Sequence, residues 1–269
     1  MCFSIKIPRN INQLSFFFDA EISADAYEKQ RNLLLLQQEM DGLEFEKLVG
    51  LPHSKNPRSH FKMPGSDDRV FPGYFAPVIV QEGLKRIVKP MRYRVRPSGS
   101  KTEIPAKFGV YNARIDSLET KQTWKPLFMH RHGLVPFTNF YEWVPDPSPE
   151  KVEDLSLFNF LDNPRDNFST RPQSKSKLIS FNPEGRELMW APCLWDEWTS
   201  TNGDISFYSF AILTDDPPEE VSIMGHDRCP IFIKNEFIDE WLNPLSSNKN
   251  EIYEILKSRE EVKYAHSWS

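Results

Sequence analysis

The protein has 269 residues, 39% hydrophobic and 26% charged, a composition typical of a soluble globular protein with at least one substantial core. Its formal net charge of -5 disfavours a protein that grips duplex DNA over its whole surface, but it is compatible with a local basic groove. Three cysteines are too few for a disulfide framework and lack metal-ligand spacing, and no segment has the length of a membrane span. We therefore expect a cytoplasmic protein, with a monomer favoured, that uses no membrane, metal or cofactor.

The first half of the chain begins with a strand and a helix. Residues 3–7 alternate as a short strand does, and Pro8 stops them. A helix is predicted from Ser23, which can cap it, to about Met40, with Gly42 as its C-terminal stop. Residues 50–75 are rich in proline, glycine and charge, which indicates a long surface connection.

Strands dominate the rest of the chain. Runs of β-branched and aromatic residues predict strands at 75–80, 86–95, 134–144, 178–181, 187–191 and 205–213. Two short helices, 235–242 and 248–257, precede a last strand near 262–266. Residues 146–176 are polar and proline-rich, and we interpret them as a surface insertion. The mixture predicts a single α+β domain spanning 1–269, with a largely antiparallel, barrel-like core and peripheral helices.

Cys2 has the most unusual position for a chemically reactive residue. Removal of Met1, which a small second residue favours, would expose an amine and a thiol on the same residue. Both groups are partly available as nucleophiles near neutral pH, and together they can convert an aldehyde into a Schiff base and then a thiazolidine ring. From its position alone, Cys2 is better explained as a small apolar residue at the start of a strand.

Three further segments contain candidate polar groups. The segment Gly109–Arg114 contains Asn112, a donor and acceptor, and Arg114, whose guanidinium suits phosphate. Glu142 lies between aromatic residues in a strand pattern, where burial would raise its pKa; alternation alone also allows it to face solvent.

The third segment is Gly225–Pro230. It offers His226 for proton transfer and Arg228 for phosphate binding, and Cys229 is expected in the core. His130 and His132 lack nearby carboxylates or cysteines that would complete a metal site, so we interpret both as surface residues.

In this order, these elements resemble the SOS response-associated peptidase (SRAP) family. The resemblance rests on an initiating Met-Cys, the Asn-Ala-Arg at 112–114, the Phe-Tyr-Glu-Trp at 140–143, the segment WAPCLW at 190–195, and the His226–Pro230 block before a strand. It covers residues 2 to about 242. The family fold implied is one compact α+β domain around a barrel-like centre.

The resemblance also implies a mechanism at abasic sites in single-stranded DNA. Cys2 would form the thiazolidine with the ring-opened sugar, and Asn112 would hydrogen-bond the Cys2 end or the sugar. Glu142 would move protons during ring opening and closure, and His226 would stabilise or protonate the sugar oxygen. Arg114 and Arg228 would hold the DNA backbone. The peptidase activity in the family name would be removal of the leader before Cys2, here Met1.

Two departures from the family pattern concern DNA binding. Phe3 and Ser4 stand where the family usually continues Met-Cys-Gly-Arg, so a basic contact beside the cysteine is missing. The segment RYRVRP at 92–97 aligns with a family segment of the type Arg-Trp-Gly-Leu-Ile-Pro. Alternation along a strand would put Arg92, Arg94 and Arg96 on one face, where they could supply positive charge to bind DNA.

Two alternative functions fit the same residues. The protein could be a peptidase that uses Cys2 as an N-terminal nucleophile with Glu142 and His226. It could also be a non-catalytic reader of single-stranded or modified DNA that relies on its arginines and aromatic rings.

Overall fold

The computed structural model describes residues 3–145 and 176–268, which contain thirteen strands and six α-helices. The strands are β1 Ser4–Lys6, β2 Ala20–Ile22, β3 Arg69–Val70, β4 Phe75–Glu82, β5 Lys85–Tyr93, β6 Asn112–Arg114, β7 His132–Phe137, β8 Asn139–Pro145, β9 Ser176–Pro183, β10 Met189–Thr199, β11 Ser206–Asp215, β12 Cys229–Pro230 and β13 Tyr264–Trp268. The helices are α1 Ile11–Phe18, α2 Ala24–Glu39, α3 Gly42–Val49, α4 Glu219–Ser222, α5 Ile238–Leu242 and α6 Lys249–Lys257. None of these helices is long and apolar enough to cross a membrane.

Five strands close into a barrel in the order β11–β10–β7–β4–β5, and β5 pairs back onto β11. The pairs around this ring are antiparallel except the closing one, β5 with β11, which is parallel. Strands β2, β6 and β12 extend the barrel at β5 and β11. The predicted α+β class with a largely antiparallel, barrel-like core is therefore confirmed.

A second sheet, in the order β13–β9–β8–β1–β3, packs on the barrel. Its inner residues Ile5 and Phe140 belong to the same buried cluster as Met91 and Phe210 of the barrel. The region predicted as one strand, 134–144, is two strands that separate at Thr138. There the backbone N–H of Thr138 donates to Lys6 O at 2.8 Å, so the chain leaves the barrel and enters the second sheet at this residue.

The helix predicted from Ser23 is α2, and the Ser23 side chain accepts a hydrogen bond from Ala26 N as expected. Its predicted stop was wrong, because Met40 ends the helix and Gly42 begins α3. Asp41 caps α3 by accepting bonds from the backbone N–H groups of residues 43 and 44. The sequence analysis missed α1 and α3, which have only eight residues each and so present few repeats of a helical pattern.

The remaining predicted elements are present with shifted ends. The strand expected at 187–191 runs on to Thr199, and the helix expected at 235–242 begins with one 3-10 turn before α5. Asn248 caps α6 with a complete capping box. The predicted surface insertion lies outside the described residues, apart from Ser176, which begins β9.

His132 is buried in the core, so its interpretation as a surface residue was wrong, whereas His130 is exposed. The His132 ring stacks on Trp241 with centroids 3.8 Å apart, and Nδ1 donates to Trp241 O at 2.8 Å. Burial lowers the pKa of His132 to about 3. The imidazole is therefore neutral and serves as a core residue.

We expect His132 to destabilise the protein in acid. Above the ordinary histidine pKa of about 6.5, both the folded and the unfolded chain hold it neutral. Between that pH and about 3, only the unfolded chain binds the proton. The free energy of unfolding should therefore fall by up to about 1.4 kcal/mol per pH unit from this residue. Urea unfolding from pH 4 to 7 should show a shallower slope for His132→Gln than for wild type.

His130→Gln is the control for this experiment, since it removes an exposed histidine two residues away. It should leave the slope nearly unchanged. Parallel curves for wild type and His132→Gln would contradict the assignment.

Candidate functional site

Glu142 faces the protein interior. Along β8 the side chains alternate between buried and accessible, and Glu142 falls on the buried face with Phe140 and Val144. It is only 2% exposed, whereas Trp143 beside it is 49% exposed. The alternative that Glu142 points to solvent is thus excluded, because the inner face of the second sheet is covered by the barrel.

The Glu142 carboxyl forms an ion-pair contact with His226. Oε2 of Glu142 lies 3.0 Å from Nε2 of His226. On the other side of the ring, Nδ1 lies 2.8 Å from the backbone carbonyl oxygen of Arg228. The backbone N–H of Arg228 also lies 3.3 Å from Nδ1, but the shorter contact is to the carbonyl oxygen, which only accepts, so we assign a hydrogen to Nδ1. The contact between Nε2 of His226 and Oε2 of Glu142 then contains one further proton, which is held either by the carboxyl or by the ring.

This shared proton makes the pair chemically useful. Burial raises the pKa of the Glu142 carboxyl, and the hydrogen bond from His226 partly opposes this rise. The carboxyl is therefore closer to protonation near neutral pH than an exposed glutamate is. The pair can give up or take a proton with little change in geometry, as general acid–base chemistry requires.

A tight turn brings His226 to the carboxyl. Gly225 has a φ of +87°, a left-handed conformation that side chains with a Cβ rarely adopt. A Cβ at this position would lie 3.1 Å from Cδ of Pro145, at the end of β8. Glycine thus permits both the turn and the close approach of the His226 loop to the strand that carries Glu142.

Asn112 begins β6 and is 8% exposed. The Tyr93 hydroxyl donates to its Oδ1 at 3.0 Å, which orients the amide with the carbonyl toward Tyr93 and leaves Nδ2 as the donor end. Tyr93 was noted in the sequence only as a replacement for a family tryptophan. Its role in orienting Asn112 was missed, because nothing in the local sequence links these two residues.

Two of the candidate segments pair with the end of β11. Thr214 pairs with Arg114 of β6 on one side and with Pro230 of β12 on the other. The strands that flank β11 are about 10 Å apart, twice the spacing of neighbouring strands. The Asn112–Arg114 segment and the His226–Pro230 block therefore meet at one end of the barrel, where His226 reaches Glu142.

The two arginines expected to bind DNA are half-buried and lie beside acidic residues. Arg114 contacts Asp116 at 3.0 Å and Asp216 at 3.6 Å, and Arg228 lies 3.8 Å from Asp227. The three aspartates are largely exposed, so solvent weakens these ion pairs. A phosphate could displace them at small cost.

The arginines of segment 92–97 do not form the exposed face that we expected. Arg92 and Arg96 are buried, so the prediction that they line a DNA groove is wrong for both. Arg92 and Arg94 bind the buried carboxylate of Glu103, and Arg96 donates to the backbone carbonyls of Val49 and Gly50. Arg92 and Arg94 are thus paired with a carboxylate inside the protein, and Arg96 is held there by backbone carbonyls.

Arg94 retains a small exposed fraction of its side chain, 15%, and it also donates to Ile104 O at 2.6 Å. Its contacts are those of a structural residue, and the proposed contact with DNA stays a prediction.

Cys2 lies outside the described residues, but the residue after it is placed beside Glu142. The backbone N–H of Phe3 donates to Tyr141 O at 3.1 Å, and β1 continues antiparallel along β8 from the Ser4–Tyr141 pair. The chain therefore enters the second sheet one residue from the Glu142–His226 pair.

Another basic residue lies at this chain entry and was missed by the sequence analysis. Arg69 donates from Nε to the Ser4 hydroxyl at 2.9 Å, and its guanidinium covers the Tyr141 ring at 4.0 Å. It lies in the 50–75 segment, which was interpreted as a surface connection. Only the pairing of β3 with β1 brings it to the site, and no sequence pattern predicts that pairing.

Within residues 3–145 and 176–268, no group of three or more histidine, cysteine or acidic side chains could hold a metal ion. Cys229 is buried, as predicted, and burial raises its thiol pKa to about 12. Cys193 is also buried. Neither thiol is suited to act as a nucleophile.

The protein is thus a closed five-stranded barrel with a buried Glu–His pair at one end. The sequence model of the SOS response associated peptidase (SRAP) family matches residues 49–267, and the chain belongs to this family. The matched region begins after Cys2.

Characterised relatives are distant. The chain is 24% identical over 186 residues to the abasic site processing protein HMCES of Gallus gallus, a match that covers 68% of this chain and 53% of the relative. It is also 24% identical over 180 residues to the abasic site processing protein YoqW of Bacillus subtilis, covering 66% of this chain and 67% of the relative. The matched part thus spans about half the length of the chicken protein.

Solved structures share the fold over the whole chain. A crystal structure of a protein from Bacteroides thetaiotaomicron superposes with a TM-score of 0.61 at 16% identity, covering 99% of this chain and 91% of that one. A protein from Bordetella bronchiseptica gives a TM-score of 0.58 at 13% identity, covering 100% and 99%. At this level of identity the likeness concerns the fold alone.

We expect His226→Ala to raise the pKa of Glu142 further, because the burial remains while the opposing hydrogen bond is lost. The infrared carbonyl band of the protonated carboxyl, identified by its disappearance in Glu142→Gln, should persist to higher pH in His226→Ala than in wild type. An unchanged titration midpoint would show that the two groups are not coupled.

Proposed function

We propose that this protein processes abasic sites in single-stranded DNA by forming a covalent bond through Cys2 after Met1 is removed. The observation that carries the proposal is the buried Glu142–His226 pair, beside which the chain enters from Cys2. The names of the distant relatives, which are abasic site processing proteins, support abasic sites as the substrate.

The chemistry needs an aldehyde, which the ring-opened sugar of an abasic site provides. The amine of Cys2 attacks the aldehyde carbon, and loss of one water gives a Schiff base. The thiolate then adds to the imine carbon, and the nitrogen takes a proton. The product is a five-membered thiazolidine, and no external oxidant or reductant is needed. The α-amine has a pKa near 7.7–8.0, so a useful fraction is neutral at physiological pH.

The Glu142–His226 pair would supply the proton transfers of this sequence. Ring opening requires a proton on the sugar ring oxygen, and imine formation requires one on the departing water. A carboxyl whose pKa is raised by burial holds a proton for both steps, and His226 can return it. The same transfers in reverse would release the DNA.

The neighbouring polar groups would position the substrate. Asn112, oriented by Tyr93, would hydrogen-bond the opened sugar or the Cys2 end through its amide. Arg114 and Arg228 would exchange their exposed aspartate partners for backbone phosphates. A single strand fits this site better than a duplex, because a duplex stacks the reactive nucleotide out of reach.

We expect the mature protein to form a heat-stable crosslink with an abasic single-stranded oligonucleotide, seen as a slower band on a denaturing gel and as an adduct in intact-mass spectrometry. Cys2→Ala should abolish the stable crosslink. Cys2→Ser keeps the amine without the thiol, so it should yield DNA adduct only when borohydride traps the Schiff base.

Cys193→Ala is the matched control, because it removes a buried thiol elsewhere and should leave crosslinking intact. Equal crosslinking by wild type and Cys2→Ala would refute the proposal. Cleavage of added peptides that depends on Cys2, without any crosslink, would instead identify a peptidase. Binding of intact DNA that is independent of Cys2, with neither reaction, would identify a reader.

Glu142→Gln should slow crosslinking by about 10²-fold or more, the usual contribution of a general acid or base. The amide keeps the size of the side chain but carries no transferable proton. The crosslinking rate should be measured in single-turnover experiments, with the protein at a concentration that saturates the DNA. A loss of binding is then separated from a loss of chemistry. Glu119→Gln, at an exposed carboxylate paired with Lys249, is the control and should react at the wild-type rate.

A further inference from the structure

Arg69 is held in place by contacts on three sides. Its Nε donates to the Ser4 hydroxyl at 2.9 Å, and its guanidinium lies 4.0 Å over the Tyr141 ring and 4.7 Å over the Phe71 ring. Stacking on two rings restricts the side chain, so little conformational freedom remains to be lost when the guanidinium binds a ligand.

These contacts do not use the full donor capacity of the guanidinium. Among the described residues, no carboxylate lies within ion-pair distance of Arg69, and its buried Nη2 has no hydrogen-bond partner. The guanidinium therefore has donor capacity that its contacts with the described residues leave unused, as the guanidinium of Arg228 has at Nε. Arg114 and Arg228 form ion-pair contacts with aspartates, whereas Asp67, which accepts the backbone N–H of Arg69 at 3.2 Å, is outside ion-pair distance of the Arg69 guanidinium.

The position of Arg69 relates it to the proposed reaction. Ser4 is the second residue after Cys2, and Tyr141 directly precedes Glu142. The guanidinium therefore bridges the strand that leads to Cys2 and the strand that carries the proton-transfer pair.

The surroundings favour a single-stranded nucleic acid as this ligand. Phe3 packs edge-on against Phe71 at 5.7 Å and against Trp143 at 5.9 Å, and Trp143 is half exposed. Rings beside a cation are the arrangement that binds bases and phosphates of single strands without regard to sequence.

We infer that Arg69 binds a backbone phosphate of the DNA strand next to the nucleotide that reacts with Cys2. The inference rests on the proposed function and adds a contact to it. It also accounts for Ser4, which lacks a charge of its own but orients a guanidinium supplied by β3.

The test uses undamaged single-stranded oligonucleotide, which cannot form the crosslink, and measures binding by fluorescence anisotropy at several salt concentrations. Arg69→Gln should weaken binding about tenfold at low salt and reduce the slope of log K against log salt by about 0.7, the contribution of one phosphate on a single strand. Arg9→Gln is the control, because Arg9 is an exposed arginine that is paired with Asp68. It should change neither quantity appreciably.

A scan with single methylphosphonate linkages, each of which removes one phosphate charge, would locate the contact. One linkage should weaken binding to wild type but cost less with Arg69→Gln. Should Arg69→Gln not fold, Arg69→Lys replaces it, since lysine keeps the charge but loses the forked donors, and the cost at that linkage should again fall. Equal costs at every linkage for wild type and variant would overturn the inference.

The outcomes separate the inference from the proposed function. Crosslinking of abasic DNA together with unchanged binding by Arg69→Gln would remove the inference and leave the proposed function. Absence of crosslinking together with Arg69-dependent binding would remove the proposed function and leave phosphate binding by Arg69.

Discussion

The parallel pairing of β5 with β11 is the contact on which the rest of the structure depends. It consists of two residue pairs, Ser209 with Arg92 and Phe210 with Tyr93, and it turns an open sheet into a closed barrel. Without it β5 at Arg92–Tyr93 and β11 at Ser209–Phe210 would present open edges. The Tyr93 and Phe210 rings stack at 5.1 Å across the seam, and the Tyr93 hydroxyl continues to Asn112. Barrel closure and the orientation of a site residue thus depend on one side chain.

A buried charge cluster lies beside this seam. The Glu103 carboxylate forms ion pairs with Arg92 and Arg94. Burial raises the pKa of Glu103, but these arginines more than offset that effect, so its pKa is lowered. Removing one member of such a cluster would leave an uncompensated buried charge, which is strongly destabilising. The positive charge of segment 92–97 therefore stabilises the loop around Glu103.

Much of the fold could be predicted from the sequence, because most strands and α2 combine strong periodicity with clear stop signals. The predictions that were wrong are those that depend on tertiary contacts. Alternation showed that Glu142 and the arginines occupy regular faces, but which face is covered depends on the barrel for Glu142 and on Glu103 for Arg92. Likewise, a glycine is typical of a helix C-terminus, but Gly42 is the first residue of α3, which Asp41 caps. Arg69 reaches the site through a strand of only two residues, which leaves no pattern in the sequence.

The distribution of charge explains how a protein with a net charge of -5 could bind a polyanion. Exposed ion pairs such as Arg114 with Asp116 contribute only about 0–1 kcal/mol, since solvent screens them and both side chains lose freedom. A phosphate that offers two oxygens to a guanidinium can replace such a partner at little cost. Under the proposed function, the displaced aspartates would stay close to the DNA and repel it. Affinity from charge alone would therefore be modest, and retention of the strand would come from the covalent bond at Cys2. Under the proposed function, weak reversible contact followed by bond formation would allow intact DNA to be released.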